Sequence, residues 1–229
     1  MSGQRTNATH GAEIPETSPG LTLLKTEGHR STALHRMAHQ TVRNVDGIAY
    51  WIDARNTAST YALYDIADHD RLLRRIRLAR AFTAYQHYSL VKRLINSVTP
   101  RTGCLIVPNM ASLYRDDDVP DHEARQMLSS AVSSLEKVCT TYDIRLLVTA
   151  AIDDELTALI ADHASAEYRS EQTPLGYRFE GEGFETTVFW DNSGWQTTIP
   201  YWVEMFGTVT DEVEAPGIGP ITPARLGDA

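Results

Sequence analysis

The sequence predicts an α/β protein: a mainly parallel sheet flanked by helices and extended at its far end by antiparallel strands. Three observations predict it. Short continuous apolar runs recur along most of the chain, as strands covered on both faces require. Helical periodicities separate those runs. The last part instead partly alternates Thr, Val, Phe, Tyr and Trp and carries the turn Asn192-Ser193-Gly194, which is the pattern of hairpins.

The elements follow in order. The 229 residues suit one domain with short tails, long enough to bury a sizeable core. Residues 1–20 are polar, rich in Ser, Thr, Gly and Pro, and without an apolar h-region they read as a flexible tail and not a signal peptide. Leu21 to Leu24 is the first apolar segment, and helical spacing follows over Thr32 to Val42. Ile48 to Ile52 reads as the next buried strand. Leu63, Ile66 and Ala67 mark a helix over Tyr61 to Leu73, and Arg75 to Phe82 reads as a short strand. Tyr88, Val91, Leu94, Ile95 and Val98 share one face of a helix from Tyr85 to Val98. Cys104 to Val107 is a strand, His122 to Tyr142 a helix, and Ile144 to Val148 a strand again. Tyr177 to Glu182, Phe184 to Asp191 and Trp195 to Phe206 read as the antiparallel extension. Residues 21–207 therefore form the predicted core domain, and 208–229, rich in Gly, Pro and acid, read as a second tail.

Composition bounds the function. The net charge is -9, with only three lysines (Lys25, Lys92, Lys137). A salty cytoplasm and a GC-rich genome account for this equally well. An acidic surface disfavours nucleic acid except through a local basic patch. No apolar run reaches the roughly eighteen residues that a membrane span needs. Cys104 and Cys139 sit inside apolar runs and read as buried thiols in a reducing compartment, with cytoplasm as the default.

Four local matches, in this order along the chain, resemble the RecA/RadA recombinase family, in its archaeal and eukaryotic branch. Tyr50-Trp51-Ile52-Asp53 followed by Ala62-Leu63-Tyr64-Asp65-Ile66-Ala67 is similar to the family's second core strand and next helix. Arg77-Leu78-Ala79-Arg80-Ala81-Phe82 resembles its recurrent ARAF segment. Leu105-Ile106-Val107 with Ala111-Ser112-Leu113-Tyr114-Arg115 resembles the strand and run entering the first DNA-binding loop. Leu147-Val148-Thr149 resembles the strand before the second loop. Together they cover roughly Leu21 to Phe206. The resemblance implies a RecA-like P-loop NTPase core and a place in DNA recombination or repair.

It also implies where ATP chemistry would reside, and that the chemistry is gone. Phosphates are cradled by G-x-x-x-x-G-K-[ST], whose glycines let backbone N–H groups close on them. The corresponding stretch is Leu24-Lys25-Thr26-Glu27-Gly28-His29-Arg30-Ser31. Leu24 and His29 stand at the glycine positions, Arg30 replaces the lysine, and Ser31 keeps the hydroxyl that would meet magnesium. Glu27 adds an unfavourable carboxylate. The magnesium-holding acid falls at Pro108, the catalytic glutamate at Arg55, and the polar sensor pair at Ala150-Ala151. An arginine cannot act as a general base. The expectation is a pseudo-ATPase with no required cofactor, leaving Gly28, Arg30 and Ser31 as a remnant at which ATP and magnesium could still bind.

Other features carry paired readings. Arg71, Arg74, Arg75, Arg77 and Arg80 form either a DNA or partner patch, or a solvated helix face beside Asp65, Asp68 and Asp70. Arg115 stands where the family contacts DNA, but Asp116, Asp117 and Asp118 follow it and repel a phosphate backbone. The second loop, Asp153 to Pro174, is acidic with Arg169 as its basic residue. His35 and His39 are one helical turn apart, which suits zinc or an ordinary helix surface. His87 and His122 have no evident partner. Family subunits join by inserting a Phe-x-x-Ala peptide from an N-terminal linker into the next core. No such peptide precedes Leu21 here, so the resemblance implies a paralogue that receives a recombinase of the same family and tunes it, with direct DNA contact weak.

Overall fold

A computed structural model describes residues 14–58, 70–173, 176–182, 184–191 and 194–197. The chain forms β1 (Gly20–Thr26), α1 (Thr32–Arg43), β2 (Ile48–Ala54), α2 (Asp70–Leu73), β3 (Ile76–Ala81), α3 (Ala84–Ser97) and β4 (Thr102–Val107). A 3₁₀ turn (Ser112–Arg115), α4 (Asp121–Tyr142), β5 (Arg145–Ala150), α5 (Glu155–Ala161) and β6 (Ala166–Thr173) follow. The last strands are β7 (Gly176–Gly181), β8 (Phe184–Asp191) and β9 (Gly194–Thr197).

All nine strands join one sheet in the order β3-β2-β4-β5-β1-β6-β7-β8-β9. The first six neighbours pair in parallel, and β7, β8 and β9 extend the sheet antiparallel. This is the predicted mixed α/β architecture. Parallel neighbours need crossover connections, so helices must cover both faces. One face packs β1, β4 and β5 side chains (Leu23, Leu105, Val107, Leu146, Val148) against α3, α4 and α5. The other packs Leu24, Trp51, Ile106 and Leu147 against Leu34, Met37, Ala38 and Val42 of α1. The alternation along β1, β2, β4 and β5 divides their apolar residues between two cores, which is why these strands read as continuous apolar runs.

Three expectations are corrected. The stretch Asp153 to Pro174 is not an irregular loop: it holds α5 and β6. Asp154 caps α5 by accepting from the Thr157 backbone N–H, and β6 is held by pairing with β1 and β7 rather than by its own polar sequence. The N-terminal stretch is ordered from Ile14: Ile14 and Thr17 are buried, the Gln40 amide donates to the Ile14 carbonyl and Arg145 Nε to that of Thr17. Arg77 and Arg80 lie on a strand rather than a helix face. Of the predicted helix from Tyr61, Asp70–Leu73 is helical and residues 61–69 lie outside the described residues. So do residues 1–13 and everything after Thr197, including the second predicted tail and most of the segment from Trp195 to Phe206. The compact unit that holds the sheet closes at Thr197.

His87, expected to lack a partner, has one. It is fully buried on α3, 3.0 Å by Nδ1 from the Tyr114 hydroxyl and edge-on to that ring. Burial pushes its pKa from 6.5 down to about 4. The native imidazole stays neutral, whereas the unfolded chain takes up a proton as pH falls through 6.5. The stability tied to neutral His87 is thus complete above that value and is lost as pH falls towards 4. Relative to a His87→Gln variant, the wild-type chain is expected to lose on the order of 3 kcal/mol across that window. Urea denaturation at stepped pH measures it, and parallel pH profiles for the two proteins would refute it.

Candidate functional site

In a sheet of this kind the carboxyl ends of the strands form a crevice where the crossovers change face. Here that point lies beyond β1, whose crossover α1 covers one face while α3, α4 and α5 cover the other. The turn from β1 into α1 supplies Thr26 to Ser31, and the ends of β2, β4 and β5 supply Asp53, Pro108 and Ala150. The sequence-predicted positions Gly28, Arg30, Ser31, Pro108 and Ala151 therefore lie on connections leaving the carboxyl ends of β1, β4 and β5.

The turn is tied down from within. The buried Asn109 side chain donates from Nδ2 to the His29 carbonyl at 2.8 Å, and the Asn109 backbone N–H donates to Thr149 Oγ1 at 2.9 Å. Asn109 is left-handed, with φ 49°, which lets the chain turn sharply after Pro108 and bring the amide under the turn. Thr26 Oγ1 donates to the Gly28 carbonyl at 2.9 Å. Glu27 accepts from the Gln172 backbone N–H of β6. Ser31 is the N-cap of α1, accepting from Ala33 N at 3.2 Å. Lys25, on β1, pairs with Glu167 at 2.8 Å and Asp153 at 3.3 Å, and these carboxylates hold its pKa above the usual lysine range.

Two features of the turn run against a triphosphate. A phosphate nest alternates right- and left-handed residues so that successive N–H groups converge, yet no residue from Glu27 to Ser31 has positive φ. Asn109, beside Pro108, donates to the His29 carbonyl and, where a carboxylate would serve a cation, brings a neutral amide oxygen that is buried without a bonded partner. The polar lining therefore does not match the phosphate and magnesium shell that the resemblance locates here. What persists is small: Gly28 has open space where a Cβ would be, and Arg30 is exposed.

The positions flanking the turn are occupied by internal ion pairs. Arg55, left-handed at φ 63°, donates to the Ser112 carbonyl at 2.8 Å and pairs with Asp116. Asp53 is fully buried and accepts from Thr57 N (2.8 Å), Thr57 Oγ1 (2.5 Å), Ala58 N (3.1 Å) and Arg80 Nε (3.1 Å); it pins the chain after β2. Arg115, the candidate DNA contact, grips Asp154 with two bonds of 2.6 Å and reaches Thr157 Oγ1 at 3.0 Å. The Arg115 guanidinium holds the Asp154 carboxyl well down, to about 2. Sequence reasoning did not find Asp154; the spacing Asp154-x-x-Thr157, a helix-capping signal, could have flagged it. His35 is buried beside Trp51, its Nδ1 3.2 Å from the Ser31 carbonyl. Among the described residues no group of three His, Cys, Asp or Glu could hold a metal ion. Cys104 and Cys139 are buried free thiols, each pushed up to about 12 by burial.

A second surface lies at the β3 edge. No described strand covers the outer side of β3. Arg75 is committed to the carbonyls of Gly47 and Val45. Arg74 and Arg77 are exposed, and Arg77 reaches the Arg74 carbonyl. Between β2, β3 and α3 runs a groove of about 240 Å³ lined by Tyr50, Ile52, Leu78, Leu90, Leu94 and Arg93. A more polar hollow continues it past Arg80 and Tyr85. Leu78, Tyr85 and Phe82 are exposed, Phe82 to 71%.

A six-strand parallel block with β1 inside it, a β1–α1 turn at the switch point and helices on both faces define a RecA-type α/β core. The Rad51 family model matches residues 29–177, well over half of the chain, and the chain belongs to the Rad51 family. Membership places it with proteins of DNA recombination and repair. No described helix is long and apolar enough to cross a membrane.

Replacing Asp154 by Ala removes the cap of α5 and both carboxylate acceptors of Arg115, leaving it Thr157 Oγ1. The expected loss is about 2 kcal/mol of folding stability, read as a lower urea midpoint, with an unchanged midpoint counting against the clamp.

Proposed function

We propose that this chain is a non-catalytic Rad51-family paralogue that modulates recombination or repair by contacting a catalytic recombinase. The observation that carries the reading is the turn at residues 27–31, which is bonded to Asn109, Thr26 and Gln172 of its own chain and has no left-handed residue. Hydrolysis on such a core needs cradled phosphates, a magnesium acid, a positioned water and a γ-phosphate sensor. In this reading, which follows the resemblance, Pro108, Arg55 and Ala150-Ala151 stand where the acid, the base and the sensor would be. Arg55 cannot take a proton from water, and its guanidinium is engaged with Asp116.

The contact surface in this reading is the β3 edge. Strand addition supplies backbone hydrogen bonds to an exposed edge, and a pocket for one side chain supplies specificity. The groove behind Leu78 is smaller than the roughly 300 Å³ and upward of small-molecule sites and suits one anchoring side chain of a peptide. Such an arrangement agrees with a core that receives a linker peptide. DNA contact through Arg115 is weak in this reading, because that guanidinium is paired.

Titration with a fluorescent ATP analogue and magnesium tests the reading. No saturable binding below about 100 μM and no phosphate release are expected, and pull-down with a purified Rad51-family recombinase should retain the chain. Micromolar binding with turnover would instead establish a weak ATPase paralogue using Arg30 and Ser31, a reading that the open space at Gly28 favours. Loss of the recombinase contact would remove the modulating role.

A further inference from the structure

We infer that Ser133 is a reactive serine: with His163 as its base and Glu136 behind the histidine, it takes up an acyl group from a small activated ester or thioester. These side chains lie at the other end of the sheet from the turn at residues 27–31. Ser165, two residues after His163, donates from both its backbone N–H and its hydroxyl to the Leu21 carbonyl at the start of β1.

The arrangement is built from two packed helices. Ser133 and Glu136 are three residues apart on α4 and share one face. His163 follows α5, whose Ile160 is buried in the same core as Leu128, Val132 and Leu135 of α4. The backbone that carries the ring is held: the His163 N–H donates to the Ile160 carbonyl at 3.1 Å and the Ala164 N–H to that of Ala161 at 2.9 Å. His163 Nδ1 donates to Glu136 Oε2 at 2.6 Å, and its Nε2 stands 3.5 Å from Ser133 Oγ. A carboxylate only accepts, so it places the proton of a neutral imidazole on Nδ1. The lone pair on Nε2 is then left to the serine hydroxyl. This is the order nucleophile, base, orienting acid. Contacts between nucleophile and base are commonly long until a substrate closes them.

An ion pair that merely tied α5 to α4 would end at Nδ1. Here the second ring nitrogen also meets a hydroxyl. Ser133 is exposed, whereas Glu136 and His163 are partly buried, so the base is held and the nucleophile is accessible. In the reaction, Ser133 Oγ bonds to the acyl carbon while its proton passes to Nε2, and the imidazolium so formed is paired with Glu136. The bond from the acyl carbon to the leaving group then breaks, and the departing oxygen or sulfur takes the proton from Nε2. The products are acyl-Ser133 and a free alcohol or thiol, with the imidazole neutral again. Exposure on a helix face favours small donors with good leaving groups, whose transition states demand least from their surroundings.

The helix supplies its own comparison. Ser130 lies one turn before Ser133 on the same face and is exposed as well, but its oxygen lies 3.2 Å from the Tyr88 hydroxyl, which is no base. p-Nitrophenyl acetate is the probe: the full chain is incubated with it, and acetylation of each serine is followed by peptide mass spectrometry. Ser133 is expected to react about a hundredfold faster than Ser130, the low end of what a positioned base contributes. His163→Ala should bring Ser133 down to the rate of Ser130, and Glu136→Gln should slow it by about tenfold or more. Both serines are read in one molecule, so a variant that loosens the fold changes both, while loss of the base changes Ser133 alone. Ser133→Ala should remove the burst of nitrophenolate. Equal rates at the two serines, fast Ser133 acetylation that survives His163→Ala, or a burst that survives Ser133→Ala overturns the inference.

Discussion

The arrangement depends on one demand: six neighbouring strands that all run the same way must pair their backbone groups side by side and reach the next strand by a crossover. That demand forces helices onto both faces, and it splits the apolar side chains of β1, β2, β4 and β5 between two cores. It also collects the carboxyl ends of β1, β2, β4 and β5 at one end of the sheet, so that residues far apart in sequence meet there. Asn109 beneath the His29 carbonyl, at a separation of 80 residues, is a direct product of that geometry. The site belongs to the sheet before it belongs to any one motif.

At that end many polar groups find their partners within the chain. A buried carboxylate is tolerated where hydrogen bonds satisfy it, and Asp53 accepts four. The 3₁₀ turn is held on two sides, by Arg55 through Ser112 and Asp116 and by Arg115 through Asp154. These groups anchor connections. The β3 edge is the opposite case: its described outer side carries exposed apolar side chains and arginines that are not absorbed into a core.

Much of the fold was legible because its main signals are local. The helix expected over Thr32 to Val42 ends one residue later, and that from His122 to Tyr142 begins one residue earlier. The continuous runs at β2, β4 and β5 are strands because both faces are buried. β6 was not legible: its residues alternate in exposure along a polar sequence, and pairing with β1 and β7 decides its conformation. α5 has only seven residues, too few for a periodicity. At the site, single residues could be singled out from the sequence, but their partners could not. Arg115 and Asp154 stand 39 positions apart, and Arg55 and Asp116 stand 61 apart; only the crossovers bring them together. The same holds for His87, whose hydroxyl partner Tyr114 comes from another element.

The Arg55–Asp116 pair also constrains how the protein could change. A glutamate at position 55 would face Asp116 with no cation between them and would leave the Ser112 carbonyl without its donor. Residues in contact do not substitute independently. A step towards an acid at 55 is therefore penalised unless Asp116 changes first, and losing Asp116 alone strands the arginine. Since Asn109 ties the neighbouring turn as well, a change at position 55 would leave that turn as it is. Through these contacts a carboxylate at position 55 calls for coordinated replacements rather than a single one.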